Sequence, residues 1–157
     1  MKGSFSPKNK EKYRGNCSNI IYRSQYELTF MMWCDHNPNV IEWSSEQVII
    51  TYRSILDEMY EKRYNVPKKK WHRYFVDFYI KVKNKNNEII KYLIEVKPLH
   101  ETVPPVVAGT RKSKKTILTQ RNTWIVNQAK WAAARNFCSK RNIIFKLITE
   151  KELYGHK

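Results

Sequence analysis

The sequence predicts a single α/β domain in which helices flank a mixed β-sheet. Three observations predict it. Residues 74–97 alternate in polarity about a polar turn, the pattern of an antiparallel hairpin. A helical segment at 117–140 is followed by an apolar, β-branched run at 143–148. A helix beginning after Ser24 leads into a stretch at 40–52 rich in β-branched and aromatic residues. The order helix, strand, hairpin, helix, strand leaves helices free to cover a sheet. A chain of 157 residues is about one domain.

Residues 1–16 are polar and basic (Lys8, Lys10, Lys12, Arg14) and read as a flexible arm, leaving 17–157 as the folded domain. Ser24-x-x-Glu27 is a capping-box pattern at the start of the first helix. Tyr26, Phe30, Trp33 and Asn37 fall on one stripe of that helix, with Met31 and Cys34 beside it, and Asn37-Pro38-Asn39 ends it. Residues 53–70 follow no clear period and close on Pro67-Lys68-Lys69-Lys70, as a loop or an extended hairpin would. Residues 98–115 carry Pro98, Pro104, Pro105 and Gly109 and then Arg111-Lys112-Ser113-Lys114-Lys115, an exposed basic loop. On the long helix Leu118, Ile125, Ala129 and Ala132 form the expected buried stripe, and Thr149-x-x-Glu152 announces a short closing helix.

Composition narrows the function. Thirty Lys and Arg against fourteen Asp and Glu give a net charge of +16. An excess of this size repels itself unless a polyanion neutralises it, which makes nucleic acid the expected partner and a membrane surface the weaker one. A hydrophobic fraction of 41% is enough for a core and excludes a disordered chain. No apolar run approaches the roughly 20 residues that span a bilayer, and the N-terminal residues lack the apolar stretch of a signal peptide. Three scattered cysteines, Cys17, Cys34 and Cys138, exclude a disulfide scaffold and fit a reducing compartment.

The hairpin carries the chemistry. With its turn centred on Asn86, Val76 faces Val96, Phe78 faces Ile94, Ile80 faces Tyr92 and Val82 faces Ile90, so one face is wholly apolar or aromatic. A slip of one residue would turn all of them to the other side, so the pattern fixes the register. On the opposite face Asp77 meets Glu95, Phe75 meets Lys97 and Tyr79 meets Leu93. Directly opposed side chains have Cβ atoms about 4.5–5.5 Å apart, close enough for two carboxylates to repel each other. A divalent cation between them removes the repulsion, and Mg²⁺ takes one or two carboxylates and completes its shell with water and phosphate oxygens. Lys97, two residues past Glu95, projects from the same face toward an attacking water or a scissile phosphate. The competing reading is a solvent-exposed pair of carboxylates, each neutralised by a nearby lysine.

Asp77 followed across a hairpin by Glu95-Val96-Lys97 resembles the active-site pattern of the PD-(D/E)xK nuclease superfamily, with Val76 where a proline often precedes the aspartate. More of the chain conforms: Tyr13-Arg14-Gly15-Asn16, Ile21-Tyr22-Arg23-Ser24-x-x-Glu27, Val40-Ile41-Glu42-Trp43-Ser44-Ser45-Glu46, Arg73-Tyr74-Phe75-Val76-Asp77-Phe78-Tyr79 and Ile94-Glu95-Val96-Lys97-Pro98. Together these segments resemble the head-completion nucleases of T4-like tailed bacteriophages, a TnsA-like branch of the superfamily. The resemblance implies a restriction-endonuclease-like core and Mg²⁺- or Mn²⁺-dependent hydrolysis of double-stranded DNA, with no small-molecule cofactor. It implies action in the host cytoplasm late in virion assembly, on packaged DNA ends before tail joining, beside portal, neck or other head-completion proteins. It implies Asp77 and Glu95 as metal ligands, the Val96 carbonyl as a third, Lys97 as the catalytic lysine, and Glu27 completing the metal site. The capping box explains Glu27 equally well.

Arg23, His72, Arg73, Arg111, Lys112, Lys114, Lys115 and Lys130 are the candidate phosphate contacts. Trp71, Trp124 and Trp131 are aromatic enough to stack on unpaired bases, though tryptophan at helical spacing more often packs in a core. Asn127 and Gln128 lie on the helix expected near the site, and His36, His100 and His156 read as ordinary surface or helix-end residues. Two alternatives follow: a non-catalytic neck protein that holds DNA and acidic portal surfaces, and a TnsA-like endonuclease acting on DNA ends elsewhere.

Overall fold

A central sheet of four strands organises the chain. The computed structural model describes residues 1–109 and 111–155, so His156 lies outside the described residues. The sheet runs β3 (Val40–Ser45), β6 (Phe78–Lys83), β7 (Ile89–Val96), β8 (Ile144–Ile148), antiparallel except for the parallel β7–β8 pair. A parallel neighbour requires a crossover, and α3 (Lys114–Ser139) provides it. Helix α1 (Gln25–His36) packs on one face of the sheet, and α4 (Glu150–Tyr154) closes the chain beside it. Two small ribbons flank the sheet: β1 (Gly3–Phe5) with β2 (Ile20–Tyr22), and β4 (Ile49–Arg53) with β5 (Trp71–Phe75), joined through α2 (Ile55–Tyr64).

The hairpin register is the expected one: Phe78 pairs with Ile94, Ile80 with Tyr92 and Val82 with Ile90. Asn84 holds its turn, since the Oδ1 atom accepts from the amides of Asn86 and Glu88, and Asn87 takes the left-handed conformation that asparagine tolerates. The ladder ends at Phe78. Phe75 pairs with Ile49 rather than Lys97, because the chain bends at 76–77 and β5 leaves the main sheet for the ribbon. Val76 therefore joins Leu93 on the far side of the sheet instead of facing Val96.

Both sides of the sheet are covered. Phe30, Met31 and Cys34 of α1 pack on Val40, Trp43, Phe78, Ile80, Ile94 and Val96. Ala134 and Cys138 of α3 pack on Leu93, Val76, Tyr74, Ile50 and Tyr52. The face carrying Glu95 is thus a second core, not a solvated surface. The buried stripe of α3 is Asn127, Trp131, Ala134 and Cys138, whereas Leu118 is exposed: the first turns of the helix run clear of the core. On α1 the inward positions are Phe30, Met31, Cys34 and Asp35, and Trp33 turns outward.

Two further expectations are corrected. Residues 53–70 contain a helix, α2, capped by the Ser54 hydroxyl on the Asp57 amide and ended by left-handed Asn65. Residues 1–16 are docked rather than free. Asp35, wholly buried, accepts from the backbone amides of Lys8 and Asn9 at 2.9 and 3.0 Å. Lys12 Nζ donates to the carbonyls of Cys34, Asp35 and Asn37 at 3.2, 3.0 and 2.7 Å. A cation satisfying the last carbonyls of a helix is favoured by the helix dipole as well as by the hydrogen bonds. Tyr13 is buried edge-on against Trp43.

Candidate functional site

The bend that ends β5 and the last residues of β7 bring Asp77, Glu95 and Lys97 together. Asp77 precedes β6, and its carbonyl accepts from the Glu46 amide at 3.0 Å. Its carboxylate Oδ2 accepts from the Val96 amide at 2.9 Å. Glu95, only 3% exposed, accepts a 2.6 Å hydrogen bond from Tyr74 Oη on Oε2 and faces Lys97 Nζ at 3.4 Å on Oε1. Tyr74 points the same way as Val76 along β5, into the α3 side of the sheet. The Lys130 ammonium of α3 lies over the Tyr74 ring.

The charges are coupled. Burial, and then the nearby Glu95 carboxylate, hold the Asp77 carboxyl well above the ordinary aspartate range, against the opposing pull of Lys97 and the Val96 amide. Burial works against charge on Lys97, but Glu95, Asp77 and Glu101 outweigh it and raise its pKa. Lys97 is therefore an ammonium at neutral pH, a donor and not a base. Burial and Glu95 likewise raise Tyr74, which stays protonated and donating.

Glu27 sits at the rim of a cleft of about 480 Å³ that it shares with Arg23, Val96, Lys97 and Glu101. Its carboxylate accepts from the Arg23 amide at 2.8 Å and contacts the Ser24 hydroxyl, while the Ser24 hydroxyl accepts from the Glu27 amide. This conformation is the helix cap. Among the described residues no three His, Cys, Asp or Glu side chains gather as a metal-binding group, so Glu27 does not stand with Asp77 and Glu95 as a ready triad.

The candidate phosphate contacts spread more widely. Arg23 forms an ion pair with Glu46, whose left-handed backbone sits beside Asp77. His72 is held by Asp57 of α2. Arg73 is exposed with its guanidinium over Phe75. Arg111, Lys112, Lys114 and Lys115 are exposed around the start of α3, where Lys112 reaches Gln120. Asn127 is buried beneath a cavity of about 350 Å³ that the loop from His100 to Val106 roofs, and Gln128 is half-buried. Trp131 is core, Trp124 packs edge-on against it, and Trp71 is exposed. His36 and His100 are at the surface, His36 turned to the Met32 carbonyl.

Sequence reasoning missed Tyr74, Glu46 and Glu101. The shared parity of Tyr74 and Val76 was the available signal for the first. The other two reach the site through a turn and a loop whose course no local pattern dictates.

A mixed sheet flanked by helices, with an aspartate at the hairpin entrance and Glu-x-Lys at its exit, is a PD-(D/E)xK-like arrangement. The chain belongs to the TnsA-like endonuclease family: residues 37–150 match the family's N-terminal endonuclease domain. It is similar to the head completion nuclease of Enterobacteria phage T4, with 39% identity over 153 residues, covering 96% of this chain and 92% of that protein. No solved structure matches it. No described helix is long and apolar enough to cross a membrane.

Proposed function

We propose that the chain hydrolyses DNA phosphodiester bonds with a divalent cation, Mg²⁺ or Mn²⁺, held by Asp77 and Glu95. The observation that carries this reading is the convergence of two carboxylates, Glu95 buried and Asp77 half-buried, beside one ammonium. The donors fit such an ion. Asp77 uses Oδ2 for the Val96 amide, which leaves Oδ1, and Glu95 offers Oε1. Hard oxygen donors, few in number and with room for water and phosphate, suit Mg²⁺. The Val96 carbonyl and Glu27 are the further candidate ligands, Glu27 after release from the Arg23 amide. When bound, the cation supplies positive charge that polarises the phosphoryl oxygen and acidifies water.

The residues of the chain do the rest. Lys97, held as an ammonium, donates to the attacking water or to a phosphoryl oxygen and offsets the negative charge that grows there. Tyr74 fixes the rotamer of Glu95. Arg23, Arg73, Lys130 and the cations from Arg111 to Lys115 hold the backbone of double-stranded DNA through charge, without reading its sequence. Similarity to a head completion nuclease supports a place for this reaction in phage assembly, on packaged DNA ends before tail joining, with portal or neck proteins as neighbours.

Plasmid DNA incubated with the protein tests the reading. Degradation should require Mg²⁺, stop with EDTA, and disappear in Asp77→Ala and in Glu95→Gln, while both variants still retard DNA in a gel. Undiminished cutting by Asp77→Ala would remove the assignment.

A further inference from the structure

The β4–β5 ribbon presents a face that neither core uses. Ile50, Tyr52 and Tyr74 point inward onto α3. The alternate residues point outward and pair across the ribbon: Ile49 with Phe75, Thr51 with Arg73, Arg53 with Trp71. Trp71 is 57% exposed and Phe75 43%. An aromatic pair left open to solvent on a regular strand is unused binding surface. Arg73 stands between the two rings, its guanidinium over Phe75, and among the described residues no carboxylate pairs with it. Lys68 and Lys69 are exposed just before the ribbon's second strand. Phe75 lies two residues before Asp77 in the chain.

We propose that the outer face of this ribbon binds unpaired nucleotides, with Trp71 and Phe75 stacking on bases and Arg73 holding the phosphate between them. Resting on the nuclease reading, it names the substrate class: DNA ends or junctions that carry an unpaired strand, taken in preference to intact duplex. Aromatic faces stack on bases of any sequence, but only where those bases are free of a partner strand. At about 3.3 Å per residue, Trp71 and Phe75 stand about 13 Å apart, room for two bases with a phosphate at Arg73. The surplus of cations here and over the whole chain favours this polyanion over an apolar protein partner.

The test is binding of fluorescent DNA by the full-length protein in EDTA, with a blunt duplex and the same duplex bearing a ten-nucleotide single-stranded extension. The extended probe should bind about tenfold more tightly than the blunt one at moderate salt. The double variant Trp71→Ala/Phe75→Ala should bring the extended probe down to the affinity of the blunt duplex, whereas Trp71→Phe, which keeps a ring, should retain most of the difference. Arg73→Ala should lower the salt dependence of extended-probe binding by about one counterion. Equal affinity of the native protein for both probes overturns the proposal. So does a preference that survives the double variant, which would place the contact with the unpaired strand elsewhere on the chain. Because no cation is present, neither result bears on hydrolysis: Mg²⁺-dependent plasmid cutting alongside such a failure would leave the nuclease reading standing.

Discussion

Tyr74 Oη donates to Glu95 Oε2 at 2.6 Å, and both residues are 3% exposed. The bond links the strand that enters the site to the one that leaves it. It occupies one carboxylate oxygen and turns the other toward Lys97. In the proposed metal site this hydroxyl would set the orientation and basicity of Glu95.

Tyr74→Phe keeps the ring and deletes only this donor. Loss of such an outer-shell partner typically costs about 10–100-fold in metal affinity or activity. Mn²⁺ binding measured by electron paramagnetic resonance should weaken within that range. The melting temperature should fall modestly, because a buried carboxylate oxygen loses its partner at a cost of about 1–3 kcal/mol. Unchanged Mn²⁺ affinity would reduce Tyr74 to a core residue.

Glu27 separates its two roles under Glu27→Gln. Glutamine still offers an oxygen to the Arg23 amide and an amide beside the Ser24 hydroxyl, so the cap survives and stability should change by no more than about 0.5 kcal/mol. As a ligand or an electrostatic element of the centre, however, the lost charge should lower DNA cleavage about 100-fold or more. Full cleavage by this variant would leave Glu27 as a helix cap alone.

Asp77 is expected to destabilise the fold at neutral pH. Its pKa is raised, by burial first and by Glu95 second, so the folded chain binds this proton more tightly than the unfolded chain does. Stability from this group is therefore full below the ordinary aspartate pKa and is lost as pH rises through the raised value. Asparagine cannot ionise and still accepts from the Val96 amide. In EDTA, Asp77→Asn should melt higher than the native protein at pH 8, by about 2–4 °C for each kcal/mol gained, and the gain should shrink toward pH 4. An equal or lower midpoint at pH 8 would show that the two carboxylates do not repel.

The parts of the fold legible in sequence are those that local pattern determines. The Asn84–Glu88 turn and the alternation around it fixed every hairpin pair from Phe78 to Lys83, and Thr149-x-x-Glu152 forms the full capping box. Helix α2 escaped because its stability is not written as an apolar stripe: it has no buried residue. Ion pairs of Glu58 with Arg53 and Glu61 with Lys70 and a hydrogen bond between Asp57 and His72 tie it to the ribbon, and only the folded chain brings these together. Ser54-x-x-Asp57 and Asn65 were its readable ends. The stripe on α3 was misplaced at two points: Leu118 sits where the helix has left the core, and Ala132 lies on the exposed face beside buried Trp131. The triplet Asp77, Glu95, Lys97 was legible because the hairpin pattern places all three at the same end of neighbouring strands, although the ladder stops at Phe78 and the bend at 76–77 completes the approach; Tyr74 enters from a ribbon that leaves the sheet.

Docking of the N-terminal segment depends on Asp35, whose buried carboxylate accepts from the amides of Lys8 and Asn9, while Lys12 holds the main-chain carbonyls at the same helix end. Asp35→Ala leaves the amides of Lys8 and Asn9 without their acceptor, and hydrogen bonds to a charged group contribute about 1.5–3 kcal/mol. Because the segment's other contacts, Tyr13 on Trp43 and the β1–β2 pair, remain, local release should precede global unfolding. Trypsin should then cut Asp35→Ala early at Lys8, Lys10, Lys12 or Arg14, while the native protein resists at these positions under conditions that keep its core intact. Asp35→Asn, which keeps one acceptor, should fall between the two. Immediate cleavage of the native protein at all four positions would show that residues 1–16 are a free arm after all, and would remove Lys12 from the end of α1.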